Sequence, residues 1–280
     1  MKILGYIGMF LGIILLSGIA FIYYTEGAEA FSTKTVPLHE EQTITGTKVK
    51  NLFVHSGSVD VKVIHGSQKE ITVELHGEVS EKMKNAFDLT VNEENETLLV
   101  DLKRKFRPSF TVFAINKKTE LTVTIPEQLF EKVHIETTSG DIHVNELSGD
   151  QVMLEATSGD IMIQNISLSE VSVQTSSGDI EVNGLDAKQI AVRTSSGDIN
   201  GGRVAGFSKL ALEATSGDIT LDTNETSFTL DFAATSGEGE VNVPGFLYEE
   251  KTEEKIIGKK GNGVHSIFIR TSSGDFNFRE

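Results

Sequence analysis

The chain is 280 residues long, carries a formal net charge of −16 and contains no cysteine. That length supplies one large core or two small ones, while the charge excludes nucleic-acid binding and unassisted adhesion to anionic headgroups, since no basic face is present to displace counterions from phosphates. Without cysteine there are no disulfides, no thiolate chemistry, no lipoprotein lipobox and no Cys-based zinc site.

The chain opens on Ile3–Tyr24, an uncharged and almost continuously apolar run. At 1.5 Å rise per residue it is long enough to cross a hydrocarbon core of about 30 Å. Lys2 precedes it and Glu26 and Glu29 follow, so the positive-inside bias puts the N-terminus in the cytoplasm and the remainder outside. Ala28-Glu29-Ala30 offers a competing small-x-small cleavage site, but the run exceeds the 7–15 residues of a signal-peptide core. Residues 1–25 therefore read as a single membrane anchor, and the polar residues 26–50 as a stalk.

From residue 51 the pattern changes to strands. Leu52–Val63 alternates apolar and polar around Ser56-Gly57 and resembles a degenerate copy of a unit repeated later. Ile71–His76, Asp88–Glu93, Thr97–Lys103 and Thr119–Ile125 alternate likewise, with one helical turn expected in Ser80–Phe87. Residues 51–126 read as an N-terminal rung with antiparallel excursions that cap an otherwise exposed edge.

Residues 127–243 carry the repeat. The motif [Thr/Ser]-Ser-Gly-[Asp/Glu] recurs with its glycines at Gly140, Gly159, Gly178, Gly197, Gly217, Gly237 and Gly274, at spacings of 19, 19, 19, 20, 20 and 37, with Glu only after Gly237. On either side of each motif β-branched residues alternate with polar ones, as in Val171/Val173 and Ile180/Val182. Each unit is strand–corner–strand, too small to bury its own apolar face, and stacking supplies the missing neighbour. The expected fold is all-β, a parallel β-helix or β-solenoid with 19–20-residue rungs and antiparallel excursions; a two-sheet sandwich-like roll is the alternative. Residues 244–280 hold a Lys/Glu-rich insertion, Pro244–Gly263, and the last rung.

In a solenoid, Asp141, Asp160, Asp179, Asp198, Asp218 and Asp275, with Glu238 as a variant, would form a carboxylate ladder. Two readings stay open. The aspartates serve as turn residues hydrogen-bonding nearby backbone, beside glycines that supply positive φ. Or calcium sits between rungs and relieves like-charge repulsion of roughly 1 kcal/mol per neighbour in water, with Asp141, Asp160, Asp179, Asp198 and Asp218 as ligands. The spacing differs from the nine-residue calcium repeat.

Catalytic signatures are lacking: no G-x-S-x-G, HExxH, Walker A or dinucleotide fingerprint occurs. A nucleophile would be unique, whereas these residues are copied. His134 and His143 are expected to face each other across one corner as a surface pair, and Lys103-Arg104-Lys105-Phe106-Arg107 is a weak contact for anionic wall polymer, more simply a solvated hairpin end.

At the repeated Thr-Ser-Gly-Asp-Ile corners, preceded by Leu121-Thr-Val-Thr-Ile-Pro126, residues Asn51–Glu280 resemble the LiaG-like family of proposed adhesins. The resemblance implies a β-solenoid displayed outside the bacterial membrane, associated with envelope-stress operons, and it brings no catalytic or cofactor residues. Glu238-Gly239 and the Pro244–Gly263 insertion depart from the pattern. The expected function is a membrane-anchored extracytoplasmic binding or scaffold module, not an enzyme, with a cell-envelope polymer or protein as partner and the lipid bilayer met through the N-terminal segment. A carbohydrate-active β-helix enzyme and a passive spacer are the rivals.

Overall fold

A computed structural model describes residues 34–45, 48–105 and 116–280, with Ser17, Ala20, Phe21 and Tyr24 of the leader. The anchor over 1–25, the Ala28–Ala30 cleavage site and Phe106-Arg107 of the basic cluster fall outside the described residues, those four positions apart. Among the described residues no helix is long and apolar enough to cross a membrane.

The described chain builds 21 strands. The N-terminal part contains β1 (Thr35–Ile44), β2 (Asn51–Ser56), β3 (Asp60–His65), β4 (Ile71–Ser80), β5 (Phe87–Glu94), β6 (Thr97–Arg104) and β7 (Asn116–Ile125). The repeat region contains β8 (Leu129–Thr137), β9 (Ile142–Asn145), β10 (Ser148–Ser158), β11 (Ile161–Ser177), β12 (Ile180–Ser196), β13 (Ile199–Ala205), β14 (Lys209–Ser216), β15 (Ile219–Asp222), β16 (Phe228–Ser236) and β17 (Gly239–Asn242). The insertion forms β18 (Leu247–Lys251) and β19 (Lys255–Lys260), and the chain ends in β20 (His265–Ser273) and β21 (Phe276–Arg279).

These strands stack as a parallel two-faced solenoid. On the long face β6, β2, β8, β10, the C-terminal halves of β11 and β12, β14, β20 and β16 pair in parallel succession. On the short face the order is β7, β3, β9, the N-terminal halves of β11 and β12, β13, β15, β21 and β17. The register repeats every rung, so Ile142, Ile161, Ile180, Ile199 and Ile219 stack on one another. All are buried almost completely, as are Val133, Val152, Val171, Ile190 and Leu210 opposite them. Each such side chain contributes roughly 1.5–3 kcal/mol by leaving water.

Two corners close each rung. The first is the Thr-Ser-Gly-Asp motif. The second lies at Glu146, Asn165, Gly184 and Arg203, one step beyond the paired Asn145, Gln164, Asn183 and Gly202, and every one of the four has positive φ, between 52° and 77°. Only Asn and Gly of these tolerate that conformation well.

Chain order and stacking order differ at both ends. The rung β2–β3 lies inside β6–β7, and the rung β20–β21 is slotted between β14–β15 and β16–β17. The 37-residue interval from Gly237 to Gly274 is therefore a return into the stack, not two successive rungs. Antiparallel strands cover the ends. β5 pairs with β6, β4 with β7, and β1 with β4; the β18–β19 hairpin lies on β16. Phe228, Phe232, Phe276 and Phe278 fill the core beneath that hairpin, with ring centroids of 5.1 and 5.2 Å for the closest pairs.

Within the segment expected as a stalk, Thr35–Ile44 is strand β1, zipped in register to Ile71–Ser80. Its Leu38 and Ile44 pack against the core, which the acidic composition of the segment conceals. The helical turn expected in Ser80–Phe87 is a 3₁₀ turn at Glu81–Met83.

Candidate binding faces

Gly140, Gly159, Gly178, Gly197 and Gly217 form one column along the first corner, continued in space by Gly274 and then Gly237. The contact is backbone on backbone. A Cβ on Gly217 would lie 1.9 Å from the carbonyl oxygen of Gly197, and its φ of 143° already belongs to the region that side chains avoid. Below the corner Thr175 and Thr194 are buried, and their hydroxyls donate to the carbonyls of Gly159 and Gly178 at 3.1 Å.

Asp141, Asp160, Asp179, Asp198 and Asp218 stand on the solvent side of this column and make one continuous staple. Oδ1 of each accepts the backbone N–H of the next rung's aspartate at 2.8 Å, from Asp141 through Asp218 to Asp275. Asp60 starts the series by accepting from Asp141 at 3.0 Å, and Glu238 ends it by donating to Asp275 at 2.9 Å. These bonds run between rungs, where turn chemistry alone would keep them within a motif. Among the described residues no three or more acidic or histidine side chains converge to hold a metal ion. Burial pushes the Asp60 carboxyl above its ordinary value; the Asp141 N–H pulls it back, and the Asp141 and Glu120 charges push it further up.

The outward side of the long face is organised differently. Its central column runs Leu99, Phe53, His134, Met153, Ser172, Ala191, Ala211 and Phe268 in register. Polar columns flank it on both sides. The result is a stripe that is apolar apart from His134 and Ser172, with large side chains towards both ends, three small ones between, and Asp231 of β16 beyond Phe268.

Shallow depressions lie on this face among the described residues. One of about 390 Å³ has Ala191 and Ala211 in its floor and Phe268 at its end. Another of about 440 Å³ shares Arg193, Glu213 and Arg270 with the first and runs towards the Thr/Ser corner. The charges around them are matched: Arg193 binds both carboxylate oxygens of Glu213 at 3.0 and 3.3 Å, Arg270 donates to Asp231 at 2.9 Å, and the Lys209 ammonium lies 5.6 Å from the Phe268 ring centre.

A third depression, of about 410 Å³, is lined by Phe53 and Leu99 together with Thr90 and Asn92 of the β5 strand. Here the polar residues are not copies. His55 Nδ1 lies 3.0 Å from Asp101 Oδ1, and Lys103 donates to the other oxygen. Burial alone would raise Asp101, but the Lys103 and His55 bonds outweigh it and hold the carboxyl below its ordinary value. His134 Nε2 is 3.0 Å from Glu155 Oε2, with its ring edge-on to Phe53 at 5.8 Å. His134 and His143 do not meet, because the corner between β8 and β9 sends them to different faces, His143 registering with Lys62 and Met162. Phe53, Leu99 and Phe268 were invisible as site residues in the sequence, each being one apolar residue among many; only the stacking register aligns them.

Fold and corners define an extended β-solenoid with one staple edge and one amphipathic face. The Toastrack DUF4097 family model matches residues 49–207 and 205–279, and the chain belongs to that family. No curated protein matches it. Among solved structures, a proposed adhesin from Bacteroides fragilis shares 12% identity at a TM-score of 0.47, over 89% of this chain and 98% of that one. A proposed lipid-binding protein from Parabacteroides distasonis shares 16% at 0.46, over 87% and 97%. A proposed cell adhesion protein from Clostridium sporogenes shares 16% at 0.41, over 87% and 99%.

Proposed function

We propose that this protein is an extracytoplasmic binding module of the bacterial cell envelope, held at the membrane by its N-terminal apolar segment and serving the envelope-stress response, as the LiaG-like resemblance implies. The observation that carries the reading is the outward long face: a largely apolar central column, with Ala191, Ala211 and Phe268 on successive stacked rungs, between polar margins. A stack of near-identical rungs presents a long, stiff surface suited to an extended partner, as solenoids generally do. Co-sedimentation of the full-length chain with isolated envelope material tests the reading. Saturable capture that competes with unlabelled protein is expected; a chain left in the supernatant by both wall and envelope-protein fractions contradicts it.

A second reading rests on the Phe53 depression, where His55, Asp101 and Lys103 are unlike and occur once. A carbohydrate-active enzyme needs a basic group or a pair of carboxylates in a groove, and the same lining also holds Glu136. Reducing-end release from envelope polysaccharide, abolished by Asp101→Asn, would favour it over pure binding.

A further inference from the structure

We infer that the outward long face is a glycan-binding surface whose main subsite lies over Ser172, Ala191 and Ala211, and that it takes a linear strand of uncharged or N-acetylated hexopyranoses lying along the solenoid axis. The inference rests on the binding-module reading and names its ligand.

A pyranose ring is amphipathic: its C–H face is apolar and its rim carries hydroxyl and amide groups. The face has the same division. Ala191 and Ala211 make an apolar floor, and Phe268, 36% exposed, bounds it with an aromatic ring that already holds the Lys209 ammonium over it, so that a sugar would lie between the floor and this Lys–Phe pair. Gln189 and Lys209 stand on one side, Arg193 and Glu213 on the other. These supply both donors and acceptors to a sugar rim. Successive rungs are about 4.8 Å apart, an interval comparable with one sugar unit, so a strand aligned with the axis sets neighbouring units over Ser172, Ala191 and Ala211 in turn.

Other occupants fit less well. A polyanion needs excess positive charge, whereas Arg193 and Arg270 are already matched by Glu213 and Asp231. An extended peptide adds to a free strand edge, and the strands under this floor are hydrogen-bonded on both sides. A lipid chain needs an enclosed apolar cavity, and these depressions are open to solvent and edged by charged side chains such as Arg193, Glu213 and Arg270.

The test is calorimetric titration of the full-length chain with the β-1,4-linked tetramer of N-acetylglucosamine. Saturable 1:1 binding is expected. Phe268→Ala, which removes the ring, and Ala211→Gln, which fills the floor, should each weaken it at least tenfold with melting temperature unchanged. Thr220→Gln, on the outward short face, should leave it as it was. Should Phe268→Ala misfold, Ser172→Gln replaces it. Absence of saturable binding, or binding indifferent to the floor variants, overturns the inference. Envelope co-sedimentation separates the two claims. Capture that persists and ignores Phe268→Ala and Ala211→Gln defeats the glycan site but leaves the binding module, whereas loss of capture by the wild-type chain defeats both.

Discussion

A methyl group at Gly217 would have to occupy space held by the carbonyl of Gly197, 1.9 Å away, so Gly217→Ala forces two rungs apart. A loss of about 3 kcal/mol or more is expected from chemical denaturation. Gly202→Ala is the contrast, because the nearest atom to its Cβ is 3.7 Å away, and stability should change by no more than about 0.5 kcal/mol. At the staple, Asp198→Ala removes the acceptor for the Asp218 N–H and should cost about 1 kcal/mol. Asp198→Asn keeps that oxygen and removes a like charge, so it should equal or exceed the parent at low salt. With Oδ1 of each rung occupied by backbone, added calcium should leave the melting temperature flat; a clear rise would show the ladder holding ions. Asp60 gives a pH signature. Its folded value lies above the unfolded one, so its contribution is favourable below the ordinary carboxylate range and is lost as pH rises through the folded value. Asp60→Asn should therefore melt higher than the parent at pH 7, and the two should converge near about pH 3. The Gly and Asp columns were legible in the sequence because each rung demands the same residue. The direction of the Asp bond was not, since a local turn and a cross-rung staple call for the same letters.

Strand elements were read from alternation wherever one face is buried, and Ile180 shows why: it is fully buried in the ladder of isoleucines. Ile180→Asp leaves a carboxylate without a partner in that core and should cost more than about 3 kcal/mol or prevent folding; cooperative unfolding at an unchanged midpoint would refute the register. The second corner escaped detection because the positive-φ residue is Glu, Asn, Gly or Arg in successive rungs, a conformation imposed by stacking with no shared side chain. Strand β1 escaped because Glu40, Glu41 and Gln42 mask its alternation, and only its pairing with β4 secures it. Nor does the sequence disclose that β20–β21 returns between earlier rungs. That insertion makes a prediction of its own. Ending the chain before His265 removes the neighbour of both β14 and β16, so amide protection should be lost in β16 and β17 and not only at the missing strands, as hydrogen exchange would show.

At the scale of the whole molecule, the stack is closed by antiparallel strands and carries two long sides of unlike character. One is an edge whose carboxylates bind the backbone of the next rung; the other is the amphipathic long face with its depressions. The corner edge holds the rungs in register, and the long face is the side proposed to meet the partner. A photoreactive benzoylphenylalanine at Ala191, in the floor of the long face, compared with one at Asn200 on the outward short face, tests this most directly in intact cells. Envelope adducts are expected from Ala191 and not from Asn200; adducts from Asn200 alone, or from neither position, would contradict the assignment of the long face as the working surface.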